Sequence, residues 1–258
     1  MGTVAGASDA PRTRHGPRII ASARIGPTRR RRPRVGRDIV IQGPQGPVDA
    51  WRADPPDNAA PLGGVVVLQE IFGVNEHVRS VADGYAAAGY VALAPALFDP
   101  VARNVELDYD EAGFARGREL VAELGTDRAV DVVRAAAAAL QGEGLKVAVV
   151  GFCWGGSLAF LANARLGLPA VSYYGARTAP FLAEPLRAPM LFHFGGDDAS
   201  TPPDYVLAHR DAHPQAGLHV YPGAGHAFNR DVDPRHFHAA SAALARKRTL
   251  AFLESALR

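Results

Sequence analysis

Lys146-Val-Ala-Val-Val-Gly151-Phe-Cys153-Trp-Gly155-Gly156 is the stretch on which the fold turns. Its first half is a short apolar run without polar alternation, as in a strand buried on both faces. A helical pattern follows over 154–164. Between the two, Gly151 and Gly155 each stand two residues from Cys153. Strand, Gly-x-nucleophile-x-Gly turn and helix together make a nucleophile elbow. The nucleophile in such a turn occupies a strained backbone conformation, so its neighbours at i−2 and i+2 must lack bulk. Cys153 also falls at a helix N-terminus, where partial positive charge favours thiolate over thiol. The plainer alternative is a buried, inert cysteine in a tight turn, and the agreement of strand, glycines and helix speaks against it.

Working outward, similar apolar runs recur at 64–68, 90–94, 170–174, 190–194 and 218–221. Helical patterns lie between them at 76–88, 126–140, 203–213 and 234–256. A further one at 108–124 is weakened by Gly113 and Gly117. Thr126-Asp127 reads as an N-cap, with Val130, Val133 and Ala137 recurring on one face. Ahead of these units, Ile39-Val40-Ile41 and Val48-Asp49-Ala50-Trp51 flank a Gly/Pro-rich turn and read as a hairpin. Strands alternating with helices predict a mostly parallel, doubly wound α/β sheet with helices on both faces, over 38–258.

Two loops supply partners for Cys153, in the chain order nucleophile, acid, histidine. Gly195-Gly196-Asp197-Asp198 follows the run 190–194, where an orienting carboxylate belongs at a strand's carboxyl end. Asp198 is preferred, with Asp197 the alternative; a mere cap for the helix near Pro203 is the bland reading. Gly225-His226-Ala-Phe228 follows the last run, and places a histidine where it can act as base. The other histidines carry little signal. His209 and His213 share a helix face at i,i+4 without a third ligand in view, and His193, His236 and His238 suggest no role.

Composition limits the rest. The 258 residues are 48% hydrophobic and 21% charged, an ordinary globular balance with room for a sizeable core. No apolar run nears the roughly 18 residues of a membrane helix. One cysteine permits no intrachain disulfide and fits a reducing compartment, here the cytoplasm. Residues 1–37 hold ten arginines and one acid, Asp9; at +9, this segment leaves −7 of the net +2 for residues 38–258. Segment 1–36 is Arg/Pro-rich and aperiodic, which predicts disorder. The apolar stretch required of a twin-arginine export signal is missing after Arg29-Arg30. The mildly acidic remainder argues against a nucleic-acid surface, so a basic arm would be confined to 1–36. A monomer acting on a small molecule is expected.

Gln69-Glu70-Ile71-Phe72-Gly73-Val74-Asn75, combined with Gly-x-Cys-x-Gly-Gly, resembles the dienelactone hydrolase (carboxymethylenebutenolidase) family. The resemblance runs from about Asp38 to the C-terminus and includes Tyr173-Tyr174-Gly175 and the closing Arg248-Thr-Leu-Ala-Phe-Leu253. It implies an α/β-hydrolase fold and a Cys153–His226–Asp198 triad that opens an enol-lactone or related activated ester through an acyl-thioester, without metal or organic cofactor. It further implies that Glu70 meets the resting thiol and moves away when an anionic substrate enters. The backbone N–H groups of Trp154 and Ile71 would form the oxyanion hole. Arg230 would anchor a substrate carboxylate, with Phe98 and Tyr174 lining the pocket; the bland reading of Arg230 is a solvated loop charge paired with Asp231 or Asp233. A first arginine is expected where Pro95-Ala-Leu97-Phe98-Asp99-Pro100 has Pro100, and Arg103 lies near enough to replace it. That gap leaves open a broader carboxylesterase or thioesterase; a non-catalytic ligand-binding protein on the same fold is a separate alternative.

Overall fold

The computed structural model describes residues 1–2, 36–56 and 60–258. Internal contacts divide the chain into Met1–Pro33 and Arg34–Arg258, and the architecture below belongs to the second unit. The disorder and basic-arm expectations for 1–36 fall almost wholly outside the described residues.

A hairpin opens the fold. β1 (Arg37–Gly43) and β2 (Gly46–Ala53) pair antiparallel, with Ile41 facing Val48. The βα units follow in chain order: β3 (Gly64–Leu68), α1 (Glu76–Ala86), β4 (Val91–Pro95), α2 (Glu111–Leu124), α3 (Thr126–Gly142) and β5 (Val147–Phe152). Then come α4 (Trp154–Leu166), β6 (Ala170–Tyr173), β7 (Met190–Gly195), α5 (Pro203–Ala212), β8 (Gly217–Tyr221) and α6 (Ala239–Ala256). The sheet order is β1-β2-β4-β3-β5-β6-β7-β8; β2 meets β4 antiparallel, and every later pairing is parallel. This is the α/β-hydrolase fold.

Strand alternation divides the core in two. Val66, Leu68, Val147 and Val149 pack with Val130 and Val133 of α3 and Leu158 of α4. Val65, Val67, Ala148 and Val150 pack on the other side with Val78 and Ala82 of α1 and Ala245 and Leu253 of α6. Every residue of β3, β4, β5, β6 and β7 is buried, as unbroken apolar runs demand of central parallel strands. β8 departs from this. It ends the sheet with one neighbour, and Tyr221 is its single buried residue.

Three local expectations change. α3 is capped by Gly125 rather than by the Thr126-Asp127 pair. Gly125, at φ 75°, closes α2 with its N–H on Val121 O and opens α3 with its O accepting from Ala129, so no cap residue fits between the helices. α2 tolerates its glycines because it needs them. A Cβ on Gly113 would lie 2.1 Å from Asp108 O, and one on Gly117 2.3 Å from Ile71 O. α6 starts at Ala239, five residues after Pro234, because 233–238 form a turn and His238 caps the helix by accepting from Ser241 N–H. No helix among the described residues is long and apolar enough to cross a membrane.

Candidate active site

Cys153 joins β5 to α4 at φ 54°, ψ −116°, a backbone conformation that L-residues rarely adopt. Sterics explain its glycines. A Cβ on Gly151 would meet Gly155 O at 1.9 Å, and one on Gly155 would meet Gln69 O at 2.4 Å. The turn is tied down by Cys153 N–H donating to Tyr173 O at 3.0 Å. The thiol thus stands above the carboxyl ends of the central strands, where loops from β3, β6 and β7 converge.

The loop after β7 brings Asp198 inward and leaves Asp197 exposed. One oxygen of Asp198 accepts from Ser200 N–H at 2.8 Å; the other lies 2.8 Å from His226 Nδ1. His226 Nε2 is 3.2 Å from Cys153 Sγ. With Nδ1–H donating to the carboxylate, Nε2 is free to take a proton from the thiol. Burial pushes the Asp198 carboxyl up, but the hydrogen bond and charge of His226 hold it below its ordinary value. Burial alone would lower His226; the charge of Cys153 and the bond to Asp198 outweigh it and raise the imidazole to about 10.

Trp154 and Ile71 are the two residues whose backbone N–H groups are expected to hold an oxyanion. Trp154 is the first residue of α4, so the helix itself has no acceptor for its N–H. Ile71 lies in the turn after β3, its carbonyl against Gly117 of α2. Phe98 stacks on the Trp154 ring, centroids 5.3 Å apart and 7° from parallel. Tyr174, at φ 40°, is fully buried, and its ring meets that of His226 edge-on at 5.1 Å. Its hydroxyl has no hydrogen-bond partner among the described residues.

A second charged group adjoins the first. Arg230 is buried, and its Nε and a terminal nitrogen lie 3.0 and 2.9 Å from Glu70 Oε2. Its other terminal nitrogen is 3.4 Å from Asp233 Oδ2, and the Tyr109 ring covers its face at 4.2 Å. Burial would weaken the charged form of Arg230, and Glu70 together with Tyr174 and Tyr109 more than restores it. The thiol's hydrogen bond is to His226; none joins Glu70 to Cys153 among the described residues. The expected Glu70–thiol contact is therefore replaced by an ion pair, because Arg230 is buried with it and needs a counter-charge. Glu70 Oε1 has no hydrogen-bond partner among the described residues.

These elements carry a family signature. A sequence model of the dienelactone hydrolase family matches residues 48–257. The chain belongs to the dienelactone hydrolase family. A carboxymethylenebutenolidase of Pseudomonas putida is 34% identical over 205 residues, 75% of this chain and 86% of the other. A provisionally named carboxymethylenebutenolidase of Escherichia coli K12 is 36% identical over 227 residues, 79% and 80% of the two chains. The crystal structure of a provisionally named dienelactone hydrolase from Klebsiella pneumoniae has a TM-score of 0.75 and 31% identity, covering 85% of this chain and 98% of that one. The protein is accordingly a hydrolase of the dienelactone hydrolase type.

One residue expected at this family's site is elsewhere. Arg103 is 44% exposed and bound to the hairpin, with Asp49 Oδ1 at 2.8 Å and Pro47 O at 3.0 Å. Asp49 and the buried Asp99 hold it there, so it does not fill the place left by Pro100. Of the plainer reading of Arg230, the pairing with Asp233 holds but the solvation does not: Arg230 is buried against Glu70 and Asp233, while Asp231 pairs with His77. Sequence reasoning missed Tyr109, Asn75 and Arg235. Asn75 donates to the Tyr109 hydroxyl at 2.9 Å, and Arg235 to Tyr109 O at 3.1 Å. Of these, only the Asn75 cap of α1 had a readable local signal. His193, between Thr249 and Tyr221, and His209, between Thr178 and Tyr205 O, are buried structural groups. No cluster that could hold a metal ion occurs among the described residues.

Proposed function

We propose that the protein hydrolyses an enol-lactone or related activated ester bearing a carboxylate, with Cys153 as nucleophile. The observation that carries this reading is the row Cys153 Sγ–His226–Asp198, at 3.2 and 2.8 Å, on a turn with positive φ. His226 takes the thiol proton, and Asp198 fixes its tautomer and offsets the imidazolium charge. The sulfur attacks the carbonyl carbon, and the oxygen develops charge between the Trp154 and Ile71 N–H groups. The ester C–O bond breaks, the leaving oxygen takes the proton from His226, and an acyl-thioester remains on Cys153. Water, deprotonated by His226, then attacks that thioester and the thiolate leaves. Arg230 receives the substrate carboxylate, competing with Glu70 for it, while Tyr174 and Phe98 line the acyl pocket.

The test compares wild type with Cys153→Ala on a dienelactone and on a neutral aryl ester, with iodoacetamide labelling in parallel. Turnover confined to wild type, faster on the dienelactone and protected from labelling by substrate, supports the proposal. Full activity in the alanine variant refutes the nucleophile. The second reading, a broader carboxylesterase or thioesterase, is favoured by Arg103 being held on the hairpin. Equal or better use of the neutral ester would establish it over the first.

A further inference from the structure

Asp233 has no part in those steps, yet it is 4% exposed and faces two guanidinium groups and an imidazole. Arg230 lies at 3.4 Å, Arg235 Nε at 3.1 Å and His236 Nδ1 at 2.8 Å. Backbone bonds pin it further: Arg235 N–H donates to its side chain at 3.2 Å, and its own N–H donates to Arg230 O at 3.1 Å. Burial pushes its carboxyl up, but hydrogen bonds from Arg235 and His236 hold it well below the usual carboxylate range. It is therefore a fixed negative charge. Arg230 is correspondingly divided between two carboxylates, Glu70 on one edge and Asp233 at the other nitrogen. Arg235 claims Asp233 with Nε, while its terminal nitrogen holds the backbone of Tyr109, whose ring covers Arg230.

We propose that Asp233 and Arg235 are positioning residues that set how much of the Arg230 charge remains for a substrate carboxylate, and hence the preference for anionic over neutral esters. This rests on the reading that Arg230 receives that carboxylate. A buried carboxylate beside a guanidinium lowers the potential felt by an incoming anion. Arg235 draws on the same carboxylate, so its removal returns negative charge to Arg230. The two residues therefore pull selectivity in opposite directions.

Steady-state kinetics on two matched 4-nitrophenyl esters test this, one with an acyl chain ending in carboxylate and one with that carboxylate methyl-capped. Asp233→Asn lowers KM for the anionic ester roughly three- to tenfold, and Arg235→Gln raises it roughly two- to threefold. The kcat and KM for the neutral ester stay within about twofold in both variants, and Asp233→Glu restores the anionic KM toward wild type. Parallel shifts of both esters in Asp233→Asn, or a shift of the same sign in Arg235→Gln, overturn the proposal. Should Asp233→Asn fail to fold, Arg235→Gln decides by itself, because Arg235 is 71% exposed; no charge-selective rise in KM there defeats the inference. Arg230→Gln separates this claim from the one beneath it. An unchanged KM for the anionic ester in that variant defeats the reading of Arg230 as the carboxylate anchor, whereas parallel shifts in Asp233→Asn defeat only this one.

Discussion

The elbow around Cys153 and the charged group around Arg230 adjoin in space but are built differently. At the elbow, backbone meets backbone. Gly151 opposes Gly155, four residues away, and β5, the turn and α4 are consecutive in the chain. Around Arg230, side chains meet across long stretches of chain, Glu70 being 160 residues distant. The elbow is thus a steric device, set by φ and by the absence of Cβ atoms. The Arg230 group is an electrostatic one, set by which charges share a buried space. The first is set by backbone sterics, and the second, as proposed, is open to retuning by single exposed residues such as Arg235.

The contrast can be broken experimentally, beginning where the effect should be greatest. Cys153→Ala should lower kcat/KM by about 10⁴, with His226→Ala close behind, since these groups act as a unit. A loss of similar size in Arg230→Gln would erase the distinction between chemistry and anchoring. Gly151→Ala should destabilise the fold by about 3 kcal/mol or more in chemical denaturation, because its Cβ would lie 1.9 Å from a carbonyl oxygen. Gly223→Ala, at φ 73° with its Cβ in no closer contact than 3.9 Å from His238 Nε2, should cost only about 1 kcal/mol. Similar costs at both positions would deny the elbow its steric character. Arg230→Gln should raise KM for a carboxylate-bearing ester roughly tenfold and leave kcat for a neutral ester within about twofold.

A pH series sharpens the comparison from the electrostatic side. His226 is raised to about 10 from its ordinary 6.5, so it stabilises the folded chain fully below pH 6.5 and loses that contribution as pH rises to about 10. The melting-temperature gap between wild type and His226→Gln should therefore be widest below pH 6.5 and close by about pH 10. A constant gap would show that the ring's packing, not its charge, is what matters. Asp198 works in the opposite sense: its contribution is present above its ordinary 3.8 and is lost as pH falls through its lower folded value. The smallest effect belongs to Arg103→Gln, which should alter kcat/KM for either ester by less than about twofold. A tenfold loss confined to the anionic ester would return the 95–103 loop to the substrate side.

Where local physics decides, the chain was readable. Apolar runs marked β3 to β7 because buried parallel strands tolerate no polar alternation. Gly113 and Gly117 argued against α2 only while their close contacts with Asp108 O and Ile71 O were unseen. β8 shows the limit of the same pattern: an apolar run does not reveal whether a second neighbour will cover it. Thr126 looked like a cap because nothing local shows that Gly125 already serves two helices.

By itself, the sequence determined the elbow, the order of Cys153, Asp198 and His226, and membership of an α/β class, because each follows from backbone sterics or strand period. Only the tertiary structure decided that Asp198 rather than Asp197 reaches His226, that Glu70 rests on Arg230 rather than on the thiol, and that Arg103 stays on the hairpin. Those outcomes depend on which buried charges find one another, and buried charges are paired by proximity in the fold, whatever their separation along the chain.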